Sequence, residues 1–272
     1  MFDVTRVEEF KHAVRASFDA TPPDYGSKGD FHWQFAQRLV DRAPLRPGQV
    51  VLDIATGTAP AAIMAASRLG GRGFVVGIDL SPGILALAQR NILATHHANI
   101  ALVRGDAERL PVRDSSVDGL MCSSAIVWFP DIPQALREWR RVLRTGGWVA
   151  FSCFGGLARQ TLIGLLSRLL ARYGRLLPEL NAPLNTPEKC RRMLEAAGFR
   201  DIDVQIANQQ RLPATAEESF QWAWASRRRF NIDLPPAQLA QLKRQYLVEF
   251  ALLAPEQATW NHDYEQFVVA SK

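Results

Sequence analysis

Residues 51–60, VLDIATGTAP, and residues 75–81, VVGIDLS, set the architecture of this chain. Each begins as a short, β-branched apolar run and ends in an aspartate, Asp53 in the first and Asp79 in the second. Such runs, bounded by turn residues, read as parallel strands buried on both faces. Between them lies a turn of small residues, Ala55 to Ala59 around Gly57, and then an alanine-rich helix. Small side chains let the backbone approach a ligand, and the helix N-terminus beyond offers N–H groups with no internal partner. An acid at the end of the second strand suits a two-handed grip on ribose hydroxyls. It also excludes a ribose carrying a phosphate, because like charges repel.

Working outward, the alternation continues. A helix over 60–69 stops at Gly70 and Gly71, and a helix over 82–95 has Ser81 as N-cap and Pro82 in its first position. IALVRGD (100–106) and VDGLMCSS (117–124) read as the third and fourth strands. A helix over 133–144, a turn at Gly146 and Gly147, and WVAFSCF (148–154) follow. The pattern predicts an α/β fold: a doubly wound, mostly parallel seven-stranded sheet with ligands beyond the carboxyl ends of its strands. Past 155 a leucine-rich helix is expected over 160–177, interleaved with Arg168, Arg172 and Arg175. Thr186 and Pro187 begin a helix that Gly198 ends. DIDVQIAN (201–208) and QFVVASK (266–272) read as strands, with helical segments rich in Trp, Arg and Gln between them over 215–262. At the other end, a helix leads into the turn-forming stretch TPPDYGSKGD (21–30). A helix over 31–43 follows, with Asp30 as N-cap and Phe31, Phe35 and Leu39 on one face. The expected organisation is one domain over 1–272. It comprises an N-terminal helical lid (1–43), a ligand-binding core (48–155) and a second half (156–272) whose insert near 213–262 forms a cap.

The 272 residues carry a net charge of +5. The arginines are scattered, with one tight run at Arg227, Arg228 and Arg229, so the excess reads as solvated helix faces rather than a polyanion site. Cys122, Cys153 and Cys190 form no CxxC pair, which argues against both a zinc site and a disulfide framework and fits a reducing cytoplasm. The N-terminus lacks the apolar core of a signal peptide, and no uncharged run is long enough to span a bilayer.

A nicotinamide dinucleotide is the obvious competitor for this fold. Its turn requires G-x-G-x-x-G, whereas residues 55–60 read ATGTAP and keep only the central glycine. Asp53 would also repel a pyrophosphate. It suits a ligand that is positive there, such as the amino group of a methionine moiety, which favours S-adenosylmethionine.

Four stretches in order, VLDIATGTA (51–59), GIDLSPGILALAQ (77–89), RGDAERLPVRDSSVDGLMCSSAIVWFPD (104–131) and ALREWRRVLRTGGWVAFS (135–152), together resemble the class I methyltransferases. The likeness is nearest to the ubiquinone/menaquinone-type and natural-product branches and spans about residues 30–155. It implies that Asp53, Ala55 and Gly57 line the methionine end of S-adenosylmethionine. Asp79 and Leu80 would hold the ribose and flank the adenine. Asp106 would accept from the adenine amino group with help from the Ala107 backbone, and Ser123 would lie beside the methyl. Two family glycines are replaced by Ala55 and Ala59, on the expectation that the backbone there does not need a positive φ.

On the acceptor side, Tyr25 is expected to donate to the methionine carboxylate and His32 to serve as the base, against a packing role for the histidine. Trp128 and Phe129 would wall the acceptor, and Trp222 and Trp224 would form a lid, each weighed against plain core packing. The leucine-rich helix would cover the pocket, with a membrane-surface role as the alternative. No metal is called for. The stretch SSAIVWFPD (123–131) lacks the Asn/Asp-Pro-Pro-aromatic turn of base-amine methylation, and Cys122, not preceded by proline, reads as a buried strand residue. The expected activity is methyl transfer to carbon or oxygen of an apolar small molecule such as a polyketide, terpenoid or quinone. A cofactor-binding cyclase of the same fold and an RNA methyltransferase are the alternatives. Nucleic acid is not an expected partner, and oligomeric state is left open, a homodimer among the options.

Overall fold

The computed structural model describes residues 4–20, 25, 31–95, 97–155, 158–175, 180, 182–208, 215–226, 232–253 and 264–272. The side chains of 4–6, 31, 158–161, 208, 222, 225, 226 and 264 lie outside that description. Seven strands form one sheet: β1 (Val50–Ile54), β2 (Phe74–Asp79), β3 (Ile100–Arg104), β4 (Val117–Cys122), β5 (Leu143–Gly155), β6 (Arg200–Asn208) and β7 (Tyr264–Ser271). Their order is β3-β2-β1-β4-β5-β7-β6, parallel throughout except for β7, which runs antiparallel between β5 and β6. The strand order reverses between β1 and β4, so the expected switch point lies at their carboxyl ends.

Alternation along the strands builds two cores. Leu52 and Ile54 of β1, Leu120 and Cys122 of β4, and Phe151 and Cys153 of β5 face one layer, which holds α5 (Ile132–Val142) and α7 (Pro187–Ala196). Val51, Met121, Trp148 and Ala150 face the other. That second layer contains α2 (Phe31–Arg42), α3 (Pro60–Arg68) and α4 (Pro82–Leu93). Alanines 61, 62, 65 and 66 of α3 are buried, so this helix packs close to the sheet. The caps follow the sequence: Ser81 accepts from the Ile84 N–H at the start of α4, and Thr186 from Lys189 at the start of α7. Phe35 and Leu39 of α2 are buried as expected, whereas Asp30 lies outside the described residues.

Two boundaries differ from the sequence reading. Strand β5 starts at Leu143, before the glycine pair. Val117 pairs with Leu143 and Gly119 with Trp148, so two steps on β4 face five on β5. The excess is a bulge, with Gly146 at φ 76°. Gly119 must be glycine, because a Cβ there would lie 2.2 Å from the Trp148 ring. The leucine-rich helix is also shorter than 160–177. It is α6 (Ala158–Ala171), and Gly174, at φ 67°, closes the turn after it.

Helix α6 packs with α8 (Ala216–Ser226) and α9 (Pro236–Ala251) around a third core. Leu165, Leu166, Leu169 and Leu170 meet Phe220, Trp224, Leu242 and Tyr246 there. The α6 leucines that a membrane-surface role would use are therefore spent on neighbouring helices. No helix among the described residues is long and apolar enough to cross a membrane.

Candidate functional site

One cavity opens at the carboxyl edge of β1, β2 and β4. It collects Asp53, Ala55, Gly57, Asp79, Leu80, Asp106, Ala107 and Ser123, which the sequence places on four separate segments. The turn after β1 is left-handed at three points: Ala55 at φ 52°, Gly57 at φ 57° and Ala59 at φ 68°. This corrects the expectation for the two alanines. Both occupy backbone that glycine would adopt without strain, at a cost of about 1–2 kcal/mol per alanine. The shape nevertheless persists, because Ala59 N–H donates to the Thr56 carbonyl at 2.9 Å and Thr56 N–H to the Ile78 carbonyl at 3.0 Å.

Asp53 is buried beneath this turn. Its carboxylate accepts from Thr56 Oγ1 at 2.6 Å and from the Ala62 N–H at 3.1 Å. Burial pushes its pKa up to about 7, against the lowering effect of those two donors, and nearby Asp79 adds to the rise. Asp79 Oδ2 accepts from the Gly57 N–H and Oδ1 from the Ser81 N–H, both at 3.0 Å. Burial raises Asp79 as well, and the backbone donors hold it in check. The Leu80 N–H adds a third backbone donor to this carboxylate. This donor set fits the S-adenosylmethionine reading: one acid beside a small-residue turn, one with both oxygens already oriented, and open space where a Cβ on Gly57 would stand. Cys122 is fully buried in the strand core, and burial drives its thiol well above the ordinary range, as a structural residue requires.

Helix α1 (Val4–Asp19), part of the segment expected to form an N-terminal lid, lines the cavity beside Asp106. Lys11 Nζ donates to Asp106 Oδ2 at 2.8 Å and pairs with Glu108. Burial pulls the Lys11 ammonium down, but its bonds to the two acids outweigh this and hold it above its usual value. Glu108, itself buried, also accepts from the Asp131 N–H at the start of α5. Two turns along α1, Asp19 accepts from Ser81 Oγ at 2.6 Å and from the Gly83 N–H at 3.0 Å, so it helps to cap α4. A Cβ on Gly83 would sit 2.9 Å from Asp19 Cα, so that glycine is the seat on which α1 rests.

Another part of the cavity wall is aromatic. Phe18, Trp128, Phe129 and Phe154 line it, the first and last unforeseen. Phe18 meets Trp128 and Tyr25 edge-on, with ring centres 6.4 and 6.3 Å apart. Tyr25 and His32 both line the cavity, and the Tyr25 hydroxyl lies 3.1 Å from His32 Nε2. Ser124 follows at φ 56°, its N–H held by Ser152 Oγ at 3.0 Å. Trp224 does not line the cavity. It is buried in the third core and stacks on Phe220 at 6.1 Å, because α8 turns that face toward α6 and α9. The Trp222 side chain and Arg227 to Arg229 lie outside the described residues.

The small-residue turn, two strand-end acids, an acid after β3 and a serine after β4 meet at one switch point. Comparison with known proteins finds that residues 51–147 match the methyltransferase domain family. The chain is 36% identical over 143 residues to a malonyl-[acyl-carrier protein] O-methyltransferase of Marinomonas sp., covering 53% of this chain and 52% of that protein. It is 27% identical to a demethylmenaquinone methyltransferase of Symbiobacterium thermophilum, covering 73% and 89%. To the aklanonic acid methyltransferase DauC of Streptomyces sp. it is 33% identical, covering 53% and 66%. The chain thus spans about half the length of the first of these relatives. Among solved structures, the YcgJ protein of Bacillus subtilis superposes with a TM-score of 0.61 at 17% identity, covering 88% of this chain and 98% of that one. The [4+2]-cyclase SpnF superposes with a TM-score of 0.55 at 17% identity, covering 88% and 80%. Both likenesses are of fold.

Proposed function

We propose that this chain moves a methyl group from S-adenosylmethionine to a carbon or oxygen of an apolar small molecule of the polyketide, terpenoid or quinone kind. The observation that carries this reading is one cavity lined both by acids, among them Asp53, Asp79 and Asp106, and by aromatic rings, among them Phe18, Trp128, Phe129 and Phe154. The relatives that act on demethylmenaquinone and aklanonic acid support the choice of acceptor. When bound, the cofactor supplies a methyl carried on a sulfonium. Asp79 orients the ribose, Asp53 faces the amino group and Asp106 the adenine, while Ser123 marks the methyl end. Phe18, Trp128, Phe129 and Phe154 hold a flat acceptor and exclude water, so alignment supplies most of the rate.

Calorimetric titration with S-adenosylhomocysteine, with NADH as control, tests the reading. Micromolar binding of the first and none of the second is expected. Asp79→Ala removes both ribose bonds and should weaken binding at least a hundredfold, since each hydrogen bond to a charged group is worth about 1.5–3 kcal/mol. Wild-type affinity in that variant would end the assignment.

A further inference from the structure

The Arg15 guanidinium stands on the cavity wall with its hydrogen bonds unmade, and from this we infer that Arg15 grips a carboxylate carried by the acceptor, which is therefore a flat organic acid. The inference rests on the methyl-transfer reading and narrows its substrate. Lys11, Val14, Arg15 and Phe18 line the cavity, and their spacing puts them on one face of α1. Lys11 is spent on Asp106 and Glu108. Arg15 is not spent in this way. Its side chain is 33% exposed, and the acid it faces, Asp19, lies 3.9 Å from Nε, beyond hydrogen-bond reach. Asp19 is itself taken up by Ser81 Oγ and the Gly83 N–H. Among the described residues Arg15 makes no hydrogen bond, and its Nε is buried without an acceptor. Four buried side-chain polar atoms of the described residues lack a partner, and two of them, Arg15 Nε and Ser124 Oγ, belong to this one cavity wall. Buried donors in native folds are nearly always paired, so an orphan on a cavity wall marks a bond left for a ligand.

The chemistry of the fork selects the ligand. A guanidinium offers parallel N–H donors that match the two oxygens of a carboxylate. A phosphate suits the cavity less well. Asp53, Asp79, Asp106 and Glu108 share its wall, and a dianion would meet more of their repulsion than a single charge does. Phe18 follows Arg15 by three residues, a rise of about 4.5 Å along the helix. It packs edge-on against Trp128. A flat ring laid against Phe18 and Trp128 would thus bring its own carboxylate to Arg15. The methionine carboxylate is the other source of the same chemistry. Its expected place is the turn after β1, whereas this face of α1 is fixed by Lys11 on Asp106 and by Phe18 on Trp128. Arg15 is therefore a specificity-determining residue, which anchors the acceptor and takes no part in the transfer itself.

The test measures binding of 2-naphthoate and of its uncharged counterpart 2-naphthamide to the full chain at neutral pH by calorimetry, with and without S-adenosylhomocysteine. The wild type should prefer the naphthoate about tenfold or more, the return of a charge-assisted, two-handed contact. Arg15→Gln should remove that preference, and Arg15→Lys, which keeps the charge and loses the fork, should keep part of it. S-adenosylhomocysteine and 5′-methylthioadenosine share the nucleoside, and only the first has a carboxylate. Both should bind Arg15→Gln nearly as they bind the wild type. If Arg15→Gln weakens S-adenosylhomocysteine and spares methylthioadenosine, Arg15 holds the cofactor's carboxylate and the inference fails. An equal loss for both nucleosides reports a loosened α1, and the ratio of naphthoate to naphthamide within each variant then still decides. Naphthoate that fails to bind the wild type, that binds no better than the amide, or whose preference survives in Arg15→Gln overturns the inference. Failure of S-adenosylhomocysteine to bind the wild type counts against the cofactor reading instead, and the ratio measured without it still judges Arg15.

Discussion

Two sets of helices lie outside the sheet's own layers, and they behave differently. Helix α1 is polar and packs through specific groups: Lys11 reaches Asp106 and Glu108, and Asp19 reaches Ser81 and Gly83. Helices α6, α8 and α9 pack through leucines and aromatic rings into a core of their own, with Ser219 and Tyr246 bonded at 2.8 Å inside it. The apolar trio has the composition that a pocket cover is expected to have, yet the polar helix lies on the pocket. Apolar content tells which faces will be buried; it does not tell against what. A cover over a charged ligand must satisfy the acids it buries, and α1 carries the cation and the capping acid that do so.

The strongest way to break this comparison is to damage the trio. Leu166 is fully buried in the third core. Leu166→Ala should cost about 2–5 kcal/mol by lost burial and a residual cavity, read by chemical denaturation. The affinity for S-adenosylhomocysteine should stay within twofold. A large loss of affinity at unchanged stability would make the trio a functional cover after all.

The opposite damage is done at α1. Gly83→Ala pushes a methyl into the Asp19 backbone, and Lys11→Met leaves Asp106 and Glu108 without their shared cation. Either change should speed dissociation of S-adenosylhomocysteine about tenfold, which corresponds to about 1.4 kcal/mol. Stopped-flow displacement reads this directly. Dissociation at the wild-type rate in both variants would mean that α1 merely rests on the cavity.

The same contrast explains what was legible in the sequence. The strands and the site acids could be read because each is marked locally: an apolar run, an aspartate at its end and a turn of small residues. Ser81 and Thr186 announced their helices for the same reason. The clasp of α1 could not be read, since Lys11 and Asp106 are 95 residues apart and Asp19 and Ser81 are 62 apart. Neither Lys11 nor Asp19 differs from a solvated helix residue until the partner helix is in place. Phe154 was hidden differently. Its strand was recognised, but which ring at the strand's end would face the cavity depends on the bulge that sets the register of β5. Trp224 was assigned by composition alone, and the packing of α8 on α9 turned it inward. The left-handed backbone at Ala55 and Ala59 was masked by the alanines themselves, which hide the conformation that a glycine would have advertised.

Acidity sharpens the comparison further, because wall and cover titrate differently. Lys11 is held above its usual range, so the clasp keeps its cation between pH 6 and 8. Asp53, at about 7, does not keep one charge state across that window. Below about 7 it is protonated in the empty protein, and a ligand bearing an ammonium prefers it ionised. Binding should therefore release a proton, and affinity should rise with pH up to about 7, by at most tenfold per unit. Calorimetry in buffers of different ionisation enthalpy counts the proton. Asp53→Asn should abolish the release, and a dependence that survives in that variant belongs to another group.

The smallest expected effect lies in the turn itself. Ala59 is buried at φ 68° and Ala55 lines the cavity at φ 52°. Glycine adopts this backbone freely, but it gives up more entropy on folding, so the net gain is smaller than the strain removed. Ala59→Gly should raise stability by about 0.5–1 kcal/mol. The methyl of Ala59 is buried away from the ligand, so affinity for S-adenosylhomocysteine should not change. Ala55→Gly should relieve similar strain and also remove a methyl from the cavity wall, so stability and affinity should rise together. If Ala55→Gly stabilises the fold but weakens binding, the methyl is a contact surface for the methionine end, and the strain at that position is the cost of that contact.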